Sequence, residues 1–143
     1  TSNAGYQIIL DSIEKNKEWG NIKKEILDYL YQEGKFRPEL INRFDAVVVF
    51  KPLTKENLLA VAELMLQKLK KNLDKKGIEF MITEPLKEKI VELGYNPIYG
   101  AREMRRVIQE KVENVLAQGL LSEKLSAGSK IEINPENFEL IIK

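Results

Sequence analysis

The chain has 143 residues, with 23 Lys and Arg against 22 Asp and Glu, no Cys and no His. This length fits one domain, or one domain and part of another, and a folded chain of this size needs no disulfide or structural metal for stability. The missing thiols and imidazoles exclude Ser-His-Asp and Cys-His catalysis, ordinary zinc sites and haem ligation, and we expect no metal site. The net charge of +1 produces no long-range electrostatic field that would attract polyanions, so a nucleic acid is not an expected partner.

The chain carries no targeting or membrane-spanning pattern. No apolar run approaches the roughly 20 residues of a membrane span, and the opening residues TSNAGYQIIL lack the charged start and cleavage site of a signal peptide. We therefore expect a soluble, cytoplasmic protein with no membrane partner. The first residue is Thr1 rather than Met, so we expect the chain to be a piece of a longer protein.

The first predicted element is a helix that follows a polar stretch from Asp11 to Gly20. Asn21 is suited to cap this helix, and Gly34 is suited to end it. Its apolar residues recur at helical spacing, and they are Ile22, Ile26, Leu27 and Leu30.

A short helix and a strand are predicted next. In the segment FRPELINRF, Pro38 suits the first turn of a helix and Glu39 favours the positive end of its dipole. Residues 46–50, AVVVF, form an unbroken apolar run rich in β-branched side chains, which predicts a strand covered on both faces. Such a strand needs neighbouring strands to pair with.

A domain boundary is predicted after residue 51. Pro52 interrupts the strand pattern, and Thr54 is a good N-cap for the helix that follows. This helix runs to about Lys76 and is stopped by Gly77. Its apolar stripe consists of Leu58, Ala62, Met65, Leu69 and Leu73.

The remaining chain predicts a strand, two helices and a hairpin. Residues 78–82, IEFMI, predict a strand, and Thr83 caps a helix that ends at Gly94, with Leu86, Ile90 and Leu93 on one face. A long helix from Ala101 to about Leu121 has an apolar side made of Met104, Ile108, Val112, Val115 and Leu116. The closing segments KIEIN and FELIIK alternate around a turn, which is typical of a β-hairpin or of two adjacent strands.

The long helix begins with a cluster of basic residues, Arg102, Arg105 and Arg106. Basic side chains oppose the positive end of a helix dipole, so the cluster costs a little free energy unless it meets a phosphate or a carboxylate. This local conflict is a hint of function. Gly100 permits a tight turn before the helix, and Ala101 leaves room for a close approach by an anion.

The phosphate-binding loop G-x-x-x-x-G-K-[ST] is absent from the 143 residues. The only Gly-Lys pair is Gly34-Lys35, and Tyr29 stands where the first glycine of the motif is needed. The run Ile8-Ile9-Leu10-Asp11 is followed by Ser12 rather than a second acid, so it is not interpreted as a magnesium-binding strand end. The chain alone is therefore not expected to hold a nucleotide or to hydrolyse it.

Three segments together resemble a known family. They are TSNAG at residues 1–5, FRPELINRFDAVVVFKPL at residues 36–53 and GYNPIYGAR at residues 94–102. Their order and spacing resemble the C-terminal part of the second AAA+ module of the Clp ATPases, such as ClpB, ClpC and ClpA. The resemblance implies a mixed α+β fold. Residues 1–51 correspond to the end of the large nucleotide-binding subdomain, and residues 52–143 to a mostly helical small C-terminal subdomain with a few short strands.

The resemblance also implies roles for single residues. Asn3 corresponds to the sensor-1 asparagine near the γ-phosphate and the attacking water. Arg43 corresponds to the arginine finger that enters the neighbouring subunit's site, and Arg102 to the sensor-2 arginine that reaches the γ-phosphate in its own subunit, with Gly100 and Ala101 beside it. A guanidinium is permanently charged and offers a planar fork of donors to phosphate oxygens.

Each of these roles has a simpler alternative. Ser2 to Ala4 could be an ordinary turn or the remnant of a cleaved tag. Arg43 could form a surface ion pair with Asp45 or Glu39, and Arg102 could pair with Glu103 or Asp74, contacts that are worth about 0 to 1 kcal/mol. Arg105 and Arg106 are interpreted as structural or subunit-contact residues.

The resemblance implies an ATP-dependent protein unfoldase or disaggregase. Its cofactors are ATP or ADP with magnesium, bound by the whole protein and not tightly by this part alone. Its partners are identical subunits in a hexameric ring, unfolded or aggregated proteins, and a protease or chaperone. Members that dock on the ClpP protease carry an Ile/Val-Gly-Phe/Leu tripeptide between the TSN and FRPE motifs, and residues 6–35 have none. This favours a ClpB-like disaggregase or a Clp ATPase whose docking element differs. The alternatives are an ATP-binding subunit of a ClpP-type protease and a non-catalytic protein-interaction module.

Overall fold

A computed structural model of the protein describes residues 2–15, 17–32, 36–41, 43–96 and 100–143. The chain divides into two units, Thr1–Lys51 and Pro52–Lys143. Helices and a small three-stranded sheet make up the regular structure of these residues, so the predicted mixed α+β class is confirmed. None of the helices described is both long and apolar enough to cross a bilayer.

The first unit is helical in its described part. Helix α1 spans Tyr6–Glu14, α2 spans Trp19–Gln32 and α3 spans Pro38–Ile41. Helices α1 and α2 pack together, and Ile22 and Ile26 of α2 are buried. The sequence did not predict α1. Pro38 begins α3 and Glu39 lies in its first turn, as predicted.

Two expectations about the first unit are corrected. Helix α2 begins before Asn21, because the carbonyl of Glu18 already accepts hydrogen bonds from the N–H groups of Asn21 and Ile22, at 3.0 and 3.2 Å. Asn21 is therefore a residue of the helix and not its cap. The predicted helix end at Gly34 lies outside the described residues.

The predicted strand at residues 46–50 is not formed. Within the described part of residues 1–51 there is no other strand for it to pair with. Val48 is 71% exposed and Phe50 is 77% exposed, so this run is not covered on both faces. A strand depends on the backbone hydrogen bonds of a neighbour, and the apolar pattern alone does not supply them.

The second unit begins with a long helix, α4, at Lys55–Asp74. Its N terminus is a capping box in which the Asn57 N–H donates to Thr54 Oγ1 and the Thr54 N–H donates to Asn57 Oδ1, each at 3.2 Å. The predicted cap at Thr54 is confirmed. The residues that α4 buries are Leu58, Ala62, Leu66 and Leu73, while Met65 and Leu69 are half-buried at the edge of the same face.

Three short strands form one sheet in the order β1-β2-β3. Strand β1 (Glu79–Phe80) is parallel to β2 (Lys130–Ile133), and β2 is antiparallel to β3 (Leu140–Ile142). The predicted strand and hairpin are therefore confirmed, although β1 is shorter than the predicted 78–82. The inner face of the sheet contributes Phe80, Ile131 and Ile133 to the core.

Helix α5 spans Glu84–Gly94, and its first turn is capped by Thr83, whose Oγ1 accepts from the Leu86 N–H at 3.4 Å. The helix buries Leu86, Ile90, Val91 and Gly94. Leu93, which was expected on the buried face, is 47% exposed. The buried face of α5 therefore includes Val91 rather than Leu93.

The predicted long helix consists of three joined segments. Helix α6 spans Arg102–Val107, a π-helical segment spans Ile108–Glu113 and helix α7 spans Asn114–Leu121. Four of its apolar side chains are buried at a spacing of four residues, and they are Met104, Ile108, Val112 and Leu116. An α-helix with 3.6 residues per turn rotates such a row steadily away from the core. The wider π turns compensate for that rotation, so the whole row stays buried.

The capping box at Thr54 provides a test of the fold. Thr54→Ala removes one acceptor from the first turn of α4 and is expected to lower the free energy of unfolding by about 1 kcal/mol. Urea denaturation of the chain measures this change. Thr54→Ser keeps a hydroxyl and is the control, and equal stability of the alanine and serine variants would contradict the role of the cap.

Lys87 of α5 links two carboxylates. Its Nζ lies 3.0 Å from Glu63 Oε2 of α4, and it also bonds to Glu84. The Gln67 amide donates to Glu63 at 2.7 Å, and this hydrogen bond is the main cause that lowers the pKa of Glu63, with burial acting in the opposite direction and Lys87 adding to the lowering. Hydrogen bonds to Glu84 and then to Glu63 raise the pKa of Lys87.

This network predicts that the stability of the fold depends on pH in the acidic range. The pKa of Glu63 is lower in the folded state than its ordinary value of 4.5, so its contribution is complete above that pH and is lost as the pH falls through the folded-state pKa. Because Glu63 is partly exposed, we expect the contribution to be below about 1 kcal/mol. Glu63→Gln should therefore lose less stability than the parental chain between neutral and acidic pH, as measured by urea midpoints. Glu88→Gln, on an exposed face of α5, is the control and should retain the parental pH dependence.

Candidate functional site

Two backbone contacts hold the end of α5 close to the start of α6. A Cβ atom added to Gly94 would lie 2.5 Å from Met104 Cα and 2.8 Å from its nitrogen, so the two backbones are almost in contact. Asn96 and Gly100 form an isolated bridge in which the Gly100 N–H donates to the Asn96 carbonyl at 2.6 Å. Residues 97–99, the middle of the GYNPIYGAR motif, lie outside the described residues. The start of α6 is thus held directly against the end of α5.

Gly100 has the left-handed conformation that the tight turn requires, with φ at +63°, and an added Cβ would meet nothing within 4 Å. The need for glycine here is therefore conformational. The next residue, Ala101, is half-buried against the core, and its methyl side chain cannot cap α6 by hydrogen bonding. Arg102 follows as the first residue of α6. The structure thus places Gly100, Ala101 and Arg102 together at one helix start.

The three arginines near this helix start differ in their partners. Arg106 pairs with Glu110 at 2.8 Å and lies 3.9 Å from Glu103, and the hydrogen bond to Glu110 raises its pKa. Arg102 and Arg105 are exposed, and no carboxylate among the described residues lies within 4.0 Å of either guanidinium. The alternative pairs of Arg102 with Glu103 or Asp74 are therefore not formed there. Its charge remains available to an external anion.

Arg43 lies just beyond α3 in the first unit. Its N–H donates to the Leu40 carbonyl at 3.1 Å, and the adjacent Phe44 packs edge-on against Phe36 with ring centroids 6.4 Å apart. These contacts fix the backbone on which Arg43 is presented. The side chain is exposed, and within the described part of the chain it has no ion pair with Asp45 or Glu39.

Asn3 lies in a turn at the start of α1. Its carbonyl accepts from the Tyr6 N–H at 3.2 Å, and the Ala4 N–H donates to Ser2 Oγ at 3.1 Å. Asn3 is exposed and lines an open cleft of about 530 Å³, whose wall also includes Tyr29 and Phe36. Thr1 of the TSN motif is outside the described residues. Asn3 and Arg43 belong to the first unit, and Arg102 belongs to the second.

The chemistry of these residues fits part of a nucleotide site. An unpaired guanidinium at an uncapped helix start suits a terminal phosphate, since both supply N–H donors to phosphate oxygens. The loop that would hold the α- and β-phosphates is absent from the sequence. No cluster of three metal-ligating side chains occurs in the described ranges. Arg102 therefore has the chemistry to contact an anion, while the described residues include no loop of the kind that cradles the other phosphates of a nucleotide.

Sequence reasoning missed one residue of this site. The close packing of Gly94 against Met104 was not expected, because Gly94 was interpreted only as the residue that ends its helix. The signal available was the position of Gly94 at the start of the GYNPIYGAR motif.

The helical unit, its small sheet and the Gly-Ala-Arg helix start agree with the class expected from the sequence, the small subdomain of an AAA+ ATPase. Residues 53–133 match the family model described as the C-terminal, D2-small domain of ClpB protein. The match covers more than half of the chain, so the chain belongs to this family.

Known relatives agree with this assignment. The chain is 35% identical over 144 residues to the chaperone protein ClpB of Bacillus cereus, covering 99% of this chain and 16% of that protein. It is 36% identical over 144 residues to the chloroplastic chaperone protein ClpC1 of Arabidopsis thaliana, covering 94% of this chain and 15% of that protein. The chain thus spans about a sixth of the length of these relatives, and the resemblance to the C-terminal part of a Clp ATPase is confirmed.

A solved structure shares the fold. The chain is similar to one chain of the Saccharomyces cerevisiae Hsp104–ADP complex, with a TM-score of 0.82, 24% sequence identity, and coverage of 100% of this chain and 25% of that chain. This likeness supports the predicted fold of the chain.

Proposed function

We propose that the chain is the C-terminal part of a ring-forming, ATP-driven unfoldase or disaggregase of the Clp type. The observation that carries the proposal is the exposed, unpaired Arg102 at the start of α6, in a chain of the ClpB D2-small family. The whole protein binds ATP or ADP with magnesium, assembles as a hexamer of identical subunits in the cytoplasm, and acts on unfolded or aggregated proteins. The fold shared with a protein solved as an ADP complex is consistent with this nucleotide.

Arg102 senses the terminal phosphate of the nucleotide bound by its own subunit. Its guanidinium donates to γ-phosphate oxygens, and this contact exists with the triphosphate and is lost with the diphosphate. A contact made in only one nucleotide state shifts the conformational population by its differential free energy. Gly100 and Ala101 let a phosphate approach the helix start closely. Hydrolysis is in this way converted into a change in the position of the small subdomain.

Arg43 acts on the nucleotide of the neighbouring subunit as an arginine finger, and Asn3 orients the attacking water as sensor 1. The exposed position of Arg43 on a backbone fixed by the Phe36–Phe44 contact suits a group that reaches out of its own subunit. Its permanent positive charge offsets the charge that develops on the phosphoryl oxygens.

The finger assignment predicts a large kinetic effect. In the whole protein, Arg43→Ala is expected to lower the rate of ATP hydrolysis by about 10³-fold or more, because arginine fingers in other enzymes contribute about 10³ to 10⁵. Nucleotide binding should persist. Steady-state hydrolysis and a fluorescent-nucleotide titration measure the two effects.

Mixed rings provide the control for Arg43. Subunits carrying Arg43→Ala should impair hydrolysis in the neighbouring site when the neighbour is itself parental. Hydrolysis by the all-variant ring at the parental rate would show that Arg43 is not the finger.

The sensor assignment predicts a smaller effect. Arg102→Ala is expected to lower kcat by about 10- to 100-fold, since a charged hydrogen bond contributes roughly 1.5–3 kcal/mol. Arg105→Ala is the matched control, because it removes another exposed guanidinium from the same helix that has no ion pair among the described residues. Equal rates for the two variants would contradict a specific role for Arg102.

A further inference from the structure

Gly94 and Met104 make the closest contact between α5 and α6. Gly94 is buried at the end of α5, and Met104 is fully buried in the first turn of α6. Gly94 is not among the glycines with a left-handed φ, so its backbone conformation is open to other residues. What this position requires is space, because an added Cβ would lie 2.5 Å from Met104 Cα, 2.7 Å from its Cγ and 2.8 Å from its nitrogen.

Two of these three atoms are backbone atoms of α6. A side chain can rotate away from a new methyl group, but Met104 Cα and N can move only if the helix moves. Ordinary contacts of a Cβ begin at 3.4 Å, so the distance of 2.5 Å requires a displacement of about 1 Å. Arg102 is two residues before Met104 in the same helical turn, so it moves with that backbone.

We propose that Gly94 is a positioning residue for Arg102. The absence of a side chain at Gly94 sets the spacing between α5 and α6, and this spacing sets the place from which the Arg102 guanidinium reaches a phosphate. The inference rests on the proposed role of Arg102. A displacement of 1 Å can cost about 10²-fold in rate when it moves a group that must meet a reacting phosphoryl.

Gly119 of α7 provides a matched comparison within the same core. An added Cβ there would lie 3.0 Å from Leu125 Cδ1 and 3.0 Å from Leu140 Cδ2. These atoms, together with Leu125 Cγ at 3.1 Å, belong to leucine side chains, which can shift without moving a helix backbone. Gly119→Ala is therefore the same substitution in the same core, and it leaves the start of α6 in place.

The test measures ATP hydrolysis by the whole protein for Gly94→Ala, Arg102→Ala, the double variant and Gly119→Ala. We expect Gly94→Ala to lower kcat by about 10- to 100-fold with a smaller change in KM. The double variant should equal Arg102→Ala within about twofold, because a residue that acts through Arg102 has no effect once Arg102 is removed. Gly119→Ala should stay within about threefold of the parental rate.

Each contrary result has a distinct meaning. A parental rate for Gly94→Ala, alongside an impaired Arg102→Ala, overturns the positioning role and leaves the proposed function intact. A further loss in the double variant, equal to the product of the single effects, shows general structural damage and also overturns it. A parental rate for Arg102→Ala removes the proposed role of Arg102, and with it the inference about Gly94.

A second variant covers the case in which Gly94→Ala does not fold, as judged by circular dichroism and thermal unfolding. Gly94→Ala combined with Met104→Ala removes the Cγ clash but keeps the Cα and nitrogen of residue 104 in place. We expect this pair to retain the low kcat, compared with Met104→Ala alone. Equal rates for these two variants would overturn the inference.

Discussion

The burial of one row of side chains organises the second unit. Met104, Ile108, Val112 and Leu116 belong to the same core cluster as Phe80 of the sheet, and each of the four is almost completely buried. Because the row runs along α6, the π-helical segment and α7, it holds the whole helical stretch at a fixed rotation. The residues on the opposite side are thereby presented to solvent, and Arg102 lies at the first turn of that stretch. The apolar packing thus decides where the charged group is displayed.

Some basic side chains around this core form ion pairs, whereas Arg102 does not. Lys87 is held between Glu63 and Glu84, Lys130 pairs with Glu79, and Arg106 pairs with Glu110. Ion pairs of this kind contribute little to stability at exposed positions. Each cation that forms one nevertheless already has an anionic partner within the chain. In the described part of the second unit, Arg102 lacks such a partner. An unpaired charge at the unfavourable end of a helix dipole is consistent with a ligand that arrives from outside the chain.

Much of the second unit could be predicted from the sequence, because its elements carry their own signals. Thr54 and Thr83 cap helices whose apolar stripes have a clear period, and the hairpin alternates. The π-helical segment was not predicted, since its altered hydrogen bonds leave only a spacing of four as a trace. The contact of Gly94 with Met104 was missed because two backbones touch there and no side-chain pattern reports it. For the site, the motif indicated Arg102, but only the coordinates distinguish its unpaired guanidinium from that of Arg106.

The exposed run at residues 46–50 has a consequence for handling the protein. It is uncharged and contains three consecutive valines, Val48 and Phe50 are solvent-exposed, and it belongs to no strand. Short segments of this composition associate with copies of themselves and form intermolecular β-structure. Separated from strands that could cover it, this segment is an aggregation hazard.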